Sequence, residues 1–177
     1  MSWCKLKIKR KLVVSDASPL IQLSISDYLY ILPRLYDVVI PEEVFEETQY
    51  YSDLPDAIEI AKAVRSWLKV YEVGNKSEIR RLLMQKLGKG EAQAIVLCKE
   101  IRAEFLLTSD KYAALKAQAY GLKIMNVADI IRQAYNVKIM TAKEVLAFTD
   151  RLISQNILDA SYIRELKEDA QGWVSRK

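Results

Sequence analysis

The strongest constraint on this chain is a repeated alternation: short apolar runs rich in β-branched residues, each followed by a longer stretch of helical period. The runs are Lys11-Leu12-Val13-Val14-Ser15, Asp37-Val38-Val39-Ile40, Lys69-Val70-Tyr71-Glu72-Val73, Glu104-Phe105-Leu106-Leu107-Thr108 and Leu122-Lys123-Ile124-Met125. The period-2 pattern of 69–73 suits a strand near the sheet edge, whereas the near-continuous apolar runs suit strands buried on both faces. Between them, residues 19–35 read as two short helices broken near Ser24–Ser26 and ending around Pro33. A helix opens at Pro41-Glu42-Glu43, with Pro in its first turn and acids at the positive dipole end. Tyr50 to Pro55 reads as a loop and Asp56 to Leu68 as an amphipathic helix. Further helices start at Ser77, span Glu91 to Arg102, and run from Asp110 to Tyr120. Beyond Val127 the chain is helical, with Thr141 and Asp159 as N-caps. Strands alternating with helices specify an α/β fold around a parallel sheet. In such sheets ligands sit outside the carboxyl ends of the strands, where the strand order reverses.

Composition narrows the chemistry. The 177 residues contain no histidine, which removes His-based acid–base pairs, Ser-His triads, Cys-His pairs and most zinc sites together. Hydrolysis in this chain must therefore run on carboxylates, with a metal ion as their natural partner. The two cysteines, Cys4 and Cys98, lie in no metal-binding spacing. Cys98, on an apolar helical face, reads as a small buried hydrophobe, and the cysteine usage suits a reducing cytoplasm. No apolar run is long enough to cross a bilayer, and no apolar stretch follows the basic N-terminus as a secretory signal would require. The net charge of +4 is unevenly placed: Lys5, Lys7, Lys9, Arg10 and Lys11 fall in residues 1–11, which hold no acid. That segment reads equally as a cationic arm for a polyanion or as an edge strand protected by lysines.

Two strands end alike. Val13-Val14-Ser15-Asp16 and Leu107-Thr108-Ser109-Asp110 each deliver an Asp just past an apolar run, so central parallel strands would bring both acids to one sheet edge. Each Asp also precedes a helix and could serve only as its N-cap. Glu47 lies two turns into the helix after the second strand and shares a face with Glu43, flanked by Val44 and Tyr51; by itself such an acidic cluster is more often a solvated face, and only context promotes Glu47. Glu91 follows Gly88-Lys89-Gly90 and opens an apolar helix, where a first-turn Glu is favourable whatever its function. The glycines form neither a complete dinucleotide fingerprint nor a Walker motif. Four acids gathered at one edge would raise one another's pKa values unless cations neutralised them. Hard divalent ions with oxygen ligands do so, and paired ions suit hydrolysis of a phosphodiester.

These segments resemble the PIN-domain family, including its stand-alone prokaryotic branch related to VapBC-type toxins. Val13 to Leu20 resembles the family's first strand and acid, and Ile40 to Glu47 its second acidic segment. Leu87-Gly88-Lys89-Gly90-Glu91-Ala92-Gln93-Ala94-Ile95 is the most specific piece, similar to the Gly-Glu-x-x-Ala segment of one branch, and Leu106 to Asp110 resembles the fourth motif. The resemblance implies a three-layer α/β/α sandwich with a parallel sheet of about five strands, plus C-terminal helices. Residues 12–135 would form the nuclease domain, 1–11 an arm or edge strand, and 136–177 a helical extension packed on the domain. It implies metal-holding and catalytic roles for Asp16, Glu47, Glu91 and Asp110, with Ser109 and Asn126 as supporting polar groups. The third acid, often Asp in the family, is Glu91 here. Implied with these are Mg2+ or Mn2+ as cofactor, single-stranded RNA as substrate, a homodimer, and an antitoxin protein as partner. Two alternatives stand beside this endoribonuclease: a catalytically weak RNA-binding or assembly module, and an RNA-processing or DNA-directed nuclease with the same site. Lys89, Lys111, Arg80 and Lys86 are candidate groove cations.

Overall fold

The computed structural model describes residues 10–155 and 161–175. Lys5, Lys7, Lys9 and Cys4, and the N-cap expected at Asp159, lie outside the described residues. Five parallel strands, β1 (Lys11–Ser15), β2 (Tyr36–Pro41), β3 (Lys69–Tyr71), β4 (Phe105–Leu107) and β5 (Ile124–Met125), form one sheet in the order β3-β2-β1-β4-β5. The chain therefore builds outward from β1 to β3, then returns to the other side of β1 to lay down β4. The order reverses between β1 and β4, with Val13 opposite Phe105 and Ser15 opposite Leu107.

Adjacent strand residues point to opposite faces, and each face has its own core. Val13, Val38, Ile40 and Leu107 pack with α1 (Ala17–Ile25), α4 (Pro55–Ser66), α8 (Val127–Asn136), α9 (Ala142–Ser154) and α10 (Ser161–Ser175). Val14, Val39 and Leu106 pack with α5 (Lys76–Leu83), α6 (Lys89–Glu100) and α7 (Lys111–Ala119). This is the expected three-layer sandwich. Full burial of each Val or Leu contributes about 1.5–3 kcal/mol, which is why the β1 and β4 runs are apolar on both faces. Cys98 is buried in the second core, and burial pushes its thiol up to about 12, as suits a packing residue.

Several boundaries differ from expectation for local reasons. Pro33 does not end a helix. It sits at the start of α2 (Leu32–Leu35), where its missing N–H costs nothing. Pro41 is the N-cap of α3 (Glu42–Thr48) rather than part of its first turn. Because α3 stops at Thr48, Tyr51 lies outside it, exposed, and does not flank Glu47. Helix α6 opens at Lys89 rather than Glu91, making Glu91 its third residue.

Candidate functional site

The carboxyl ends of β1 and β4 bring the first acids together. The Asp16 amide donates to the Leu107 carbonyl at 3.0 Å, so the ladder continues one residue past β1 and sets Asp16 beside the Thr108 turn. Asp16 caps α1: its Oδ1 accepts from the Ser18 amide (3.0 Å) and the Ser18 hydroxyl (2.9 Å). Thr108 stands between the two motifs: its hydroxyl accepts from the Asp110 amide at 3.2 Å and favours the charged form of the Asp16 carboxyl. Asp110 in turn caps α7, with Oδ1 accepting from the Ala113 amide at 2.7 Å. Both Asp residues are thus N-caps, and they stand on neighbouring strand ends at the point where the strand order reverses.

The two glutamates are positioned through one turn. Glu91, third in α6, reaches back so that Oε2 accepts from the Gly88 amide at 2.9 Å. This is half of a capping box, because glycine has no side chain to reciprocate. Glu47, on α3, crosses to the same turn, its Oε1 accepting from the Gly90 amide at 2.9 Å. Gly90 is required by that approach: a Cβ there would stand 2.3 Å from Glu47 Oε2.

The electrostatics tie the four acids into one set. Asp16 is only 4% exposed. Burial pushes its carboxyl up to about 7 against hydrogen bonds from Thr108 and Ser18, and the Glu91 charge raises it further. Burial comes first again for Glu91, whose pKa is raised by it and by Asp110 while the Gly88 amide opposes the shift. Glu47 has an exposed side chain with its carboxylate pressed against the Gly90 turn. Its pKa is raised by burial first, then by Glu43 and Glu91, with Lys89 and the Gly90 amide opposing. The expected mutual repulsion is present, but desolvation is the larger cause at all three.

Ser109 and Asn126 take places behind this set. The Ser109 amide donates to the Ser18 hydroxyl at 3.2 Å, backing the group that holds Asp16, and its own hydroxyl donates to Gln22 Oε1 at 2.8 Å. Asn126 follows β5 and caps α8, exchanging bonds of 3.0 Å with Asp129. Lys89 lies 3.8 Å from Glu43. Three groups escaped the sequence reading: Thr108, Ser18 and the Gly90 amide. The hydroxyls sit two residues from an Asp at a strand end, a legible spacing for an N-cap; the Gly90 contact joins residues 43 positions apart.

The donor set, carboxylates and hydroxyls without nitrogen or sulfur, fits a hard divalent cation. A buried carboxylate with a raised pKa and acidic neighbours is also what bound positive charge would relieve. The acids are not drawn into a closed cage. Among the described residues, no three His, Cys, Asp or Glu side chains form a group that could hold a metal ion. Mg2+ characteristically takes one or two carboxylates and keeps several waters, a demand this looser arrangement meets.

A family model described as a PIN domain matches residues 12–168. Among solved structures, the chain is similar to a domain of a functionally unknown protein from Methanocaldococcus jannaschii DSM 2661. The identity is 26% and the TM-score 0.44, over 66% of this chain and 90% of that one. No curated protein matches.

Proposed function

The chain belongs to the PIN-domain family, whose members are generally nucleases, and from that premise we propose that it is a Mg2+- or Mn2+-dependent endoribonuclease acting on single-stranded RNA. The observation that carries the reading is the placement of the acids where the strand order reverses: Asp16 and Asp110 on neighbouring strand ends, Glu47 and Glu91 both anchored to the Gly88–Gly90 turn, and Glu91 near enough to raise the Asp16 carboxyl.

Of Asp16, Glu47, Glu91 and Asp110, one or two would ligate the metal directly and the others through its waters, and the metal when bound supplies Lewis acidity and a water of lowered pKa. The protein's own part is positioning. One oxygen of each carboxylate is anchored by a backbone N–H, so the groups are oriented before the metal binds and lose little freedom when it does. Thr108 holds the Asp110 amide and lowers the cost of charge on Asp16. Ser109 and Asn126 are assigned supporting roles, Ser109 through Ser18 and Asn126 at the neighbouring strand end. The finer reading, a toxin held by an antitoxin and working as a homodimer in the cytoplasm, rests on the family resemblance. No helix among the described residues is long and apolar enough to cross a membrane.

A second reading, a catalytically weak RNA-binding module, draws on the open spacing of the acids, no three of which group as metal ligands among the described residues. One experiment separates the two: labelled single-stranded RNA is incubated with Mg2+ or Mn2+, with EDTA, and with an Asp16→Asn variant. The nuclease reading expects cleavage that EDTA abolishes and Asp16→Asn lowers by about a hundredfold or more, as loss of a transition-state electrostatic group does. RNA binding without cleavage would install the module instead.

A further inference from the structure

The parallel strands have a second edge, and it is hollow. A cavity of about 640 Å³ opens where β1 and β2 begin and where the chain enters β4, and it runs along the edge strand β3 from Lys69 to its last residue, Tyr71, opposite Pro41. Its lining from β1, β2 and the entry to β4 lies towards the amino ends of the strands, away from the four carboxylates, and its volume is that of a small-molecule site.

Four cations line the cavity, and two of them are already neutralised. Arg10 bonds Asp37 at 2.9 Å and Lys11 bonds Glu104 at 2.6 Å. Lys69 and Arg102 also line it, both exposed, and among the described residues neither is paired with a carboxylate. Aromatic wall comes from Trp67 and Tyr71, the latter 41% exposed. Arg102 is held at φ +52°, at the reversal between α6 and β4, in the left-handed region where glycine is the usual residue. Two unspent positive charges beside two aromatic rings match a ligand that joins a dianion to a flat ring. A guanidinium and an ammonium suit phosphate oxygens, and Tyr and Trp faces stack on bases.

We propose that this cavity is a second ligand site, taking a nucleoside monophosphate group at the edge of the sheet remote from the carboxylates. Two sources offer that chemistry: a free mononucleotide, or the 5′-phosphorylated end of a single strand.

The test is calorimetric titration of the full chain with AMP in EDTA, which removes metal-mediated binding at the carboxylate edge. Competition follows from oligoadenylate carrying either a 5′-phosphate or a 5′-hydroxyl. AMP is expected to bind saturably, with affinity about tenfold or more weaker in Lys69→Glu and in Arg102→Gly, as loss of a charge-assisted contact requires. Asp16→Asn is expected to bind AMP as the wild type does. Lys69→Gln, isosteric in its stem, and Arg102→Gly, which suits the positive φ, guard against misfolding. Competition by the 5′-phosphorylated strand alone supports the site and identifies the strand end as its occupant. Competition by neither strand supports it with the free nucleotide as occupant. No AMP binding, or binding untouched by the Lys69 and Arg102 substitutions, overturns the proposal.

Discussion

Asp16 is the most buried of the four acids, and its charge is the one the fold tolerates least. Its carboxyl, ordinarily near 3.8, is raised to about 7 in the folded chain. The folded state therefore holds a proton that the unfolded state releases between those values. Stability from this group is complete below about pH 4, declines as pH rises towards 7, and is level above; the full loss is up to about 4 kcal/mol. Asp16→Asn removes the charge but keeps an N-cap acceptor for Ser18. In EDTA the variant should melt several degrees above the wild type at pH 8, with the gap closing towards pH 4. Thermal unfolding at the two pH values checks this. A gap that is the same at both would place the burden elsewhere. Mn2+ should raise the wild-type melting temperature more at pH 8 than at pH 5, since cation and proton compete for one carboxylate.

At the scale of elements, the contact between α3 and the start of α6 governs Glu47. Gly90→Ala puts a Cβ 2.3 Å from Glu47 Oε2, and the flexible side chain rather than the backbone yields. The expected outcome is a small stability loss, about 1 kcal/mol or less, with a much larger drop in RNA cleavage. Equal losses of stability and cleavage on Gly90→Ala would make the contact merely structural. This contact also marks where sequence reading stops. β1 and β4 were legible because full burial leaves a continuous apolar signature, and Asp16 and Asp110 because each follows such a run. Glu91 stood out through the glycines before it. Periodicity sets Glu43 and Glu47 apart from Glu42 and Glu46, but the contact that anchors Glu47 comes from Gly90, in a distant segment. The end of α3 at Thr48 leaves no sequence signal either, so helical periodicity extends the face of Glu47 to Tyr51, which lies beyond the helix. The second cavity is assembled from separate strands and the turns that lead into them, so no local pattern announces it.

At the scale of the molecule, the helices beyond Val127 share the core that contains β1. Phe148, Leu152, Ile163 and Leu166 are buried in the same cluster as Val13 and Ile40, and Tyr135 stacks on Trp173 with centroids 3.8 Å apart. Phe148→Ala should therefore cost about 3–5 kcal/mol and lower stability throughout, with one transition in both far-UV circular dichroism and tryptophan fluorescence. Separate transitions would mean that the C-terminal helices fold independently. The account as a whole turns on the four carboxylates acting together on one bound cation centre. Its most direct test is a calorimetric titration of Mn2+ into the wild type and into Glu91→Gln and Asp110→Asn. Saturable binding that each substitution weakens by about tenfold or more is the expected result; Mn2+ affinity unchanged in both variants, or no binding to the wild type, would contradict it.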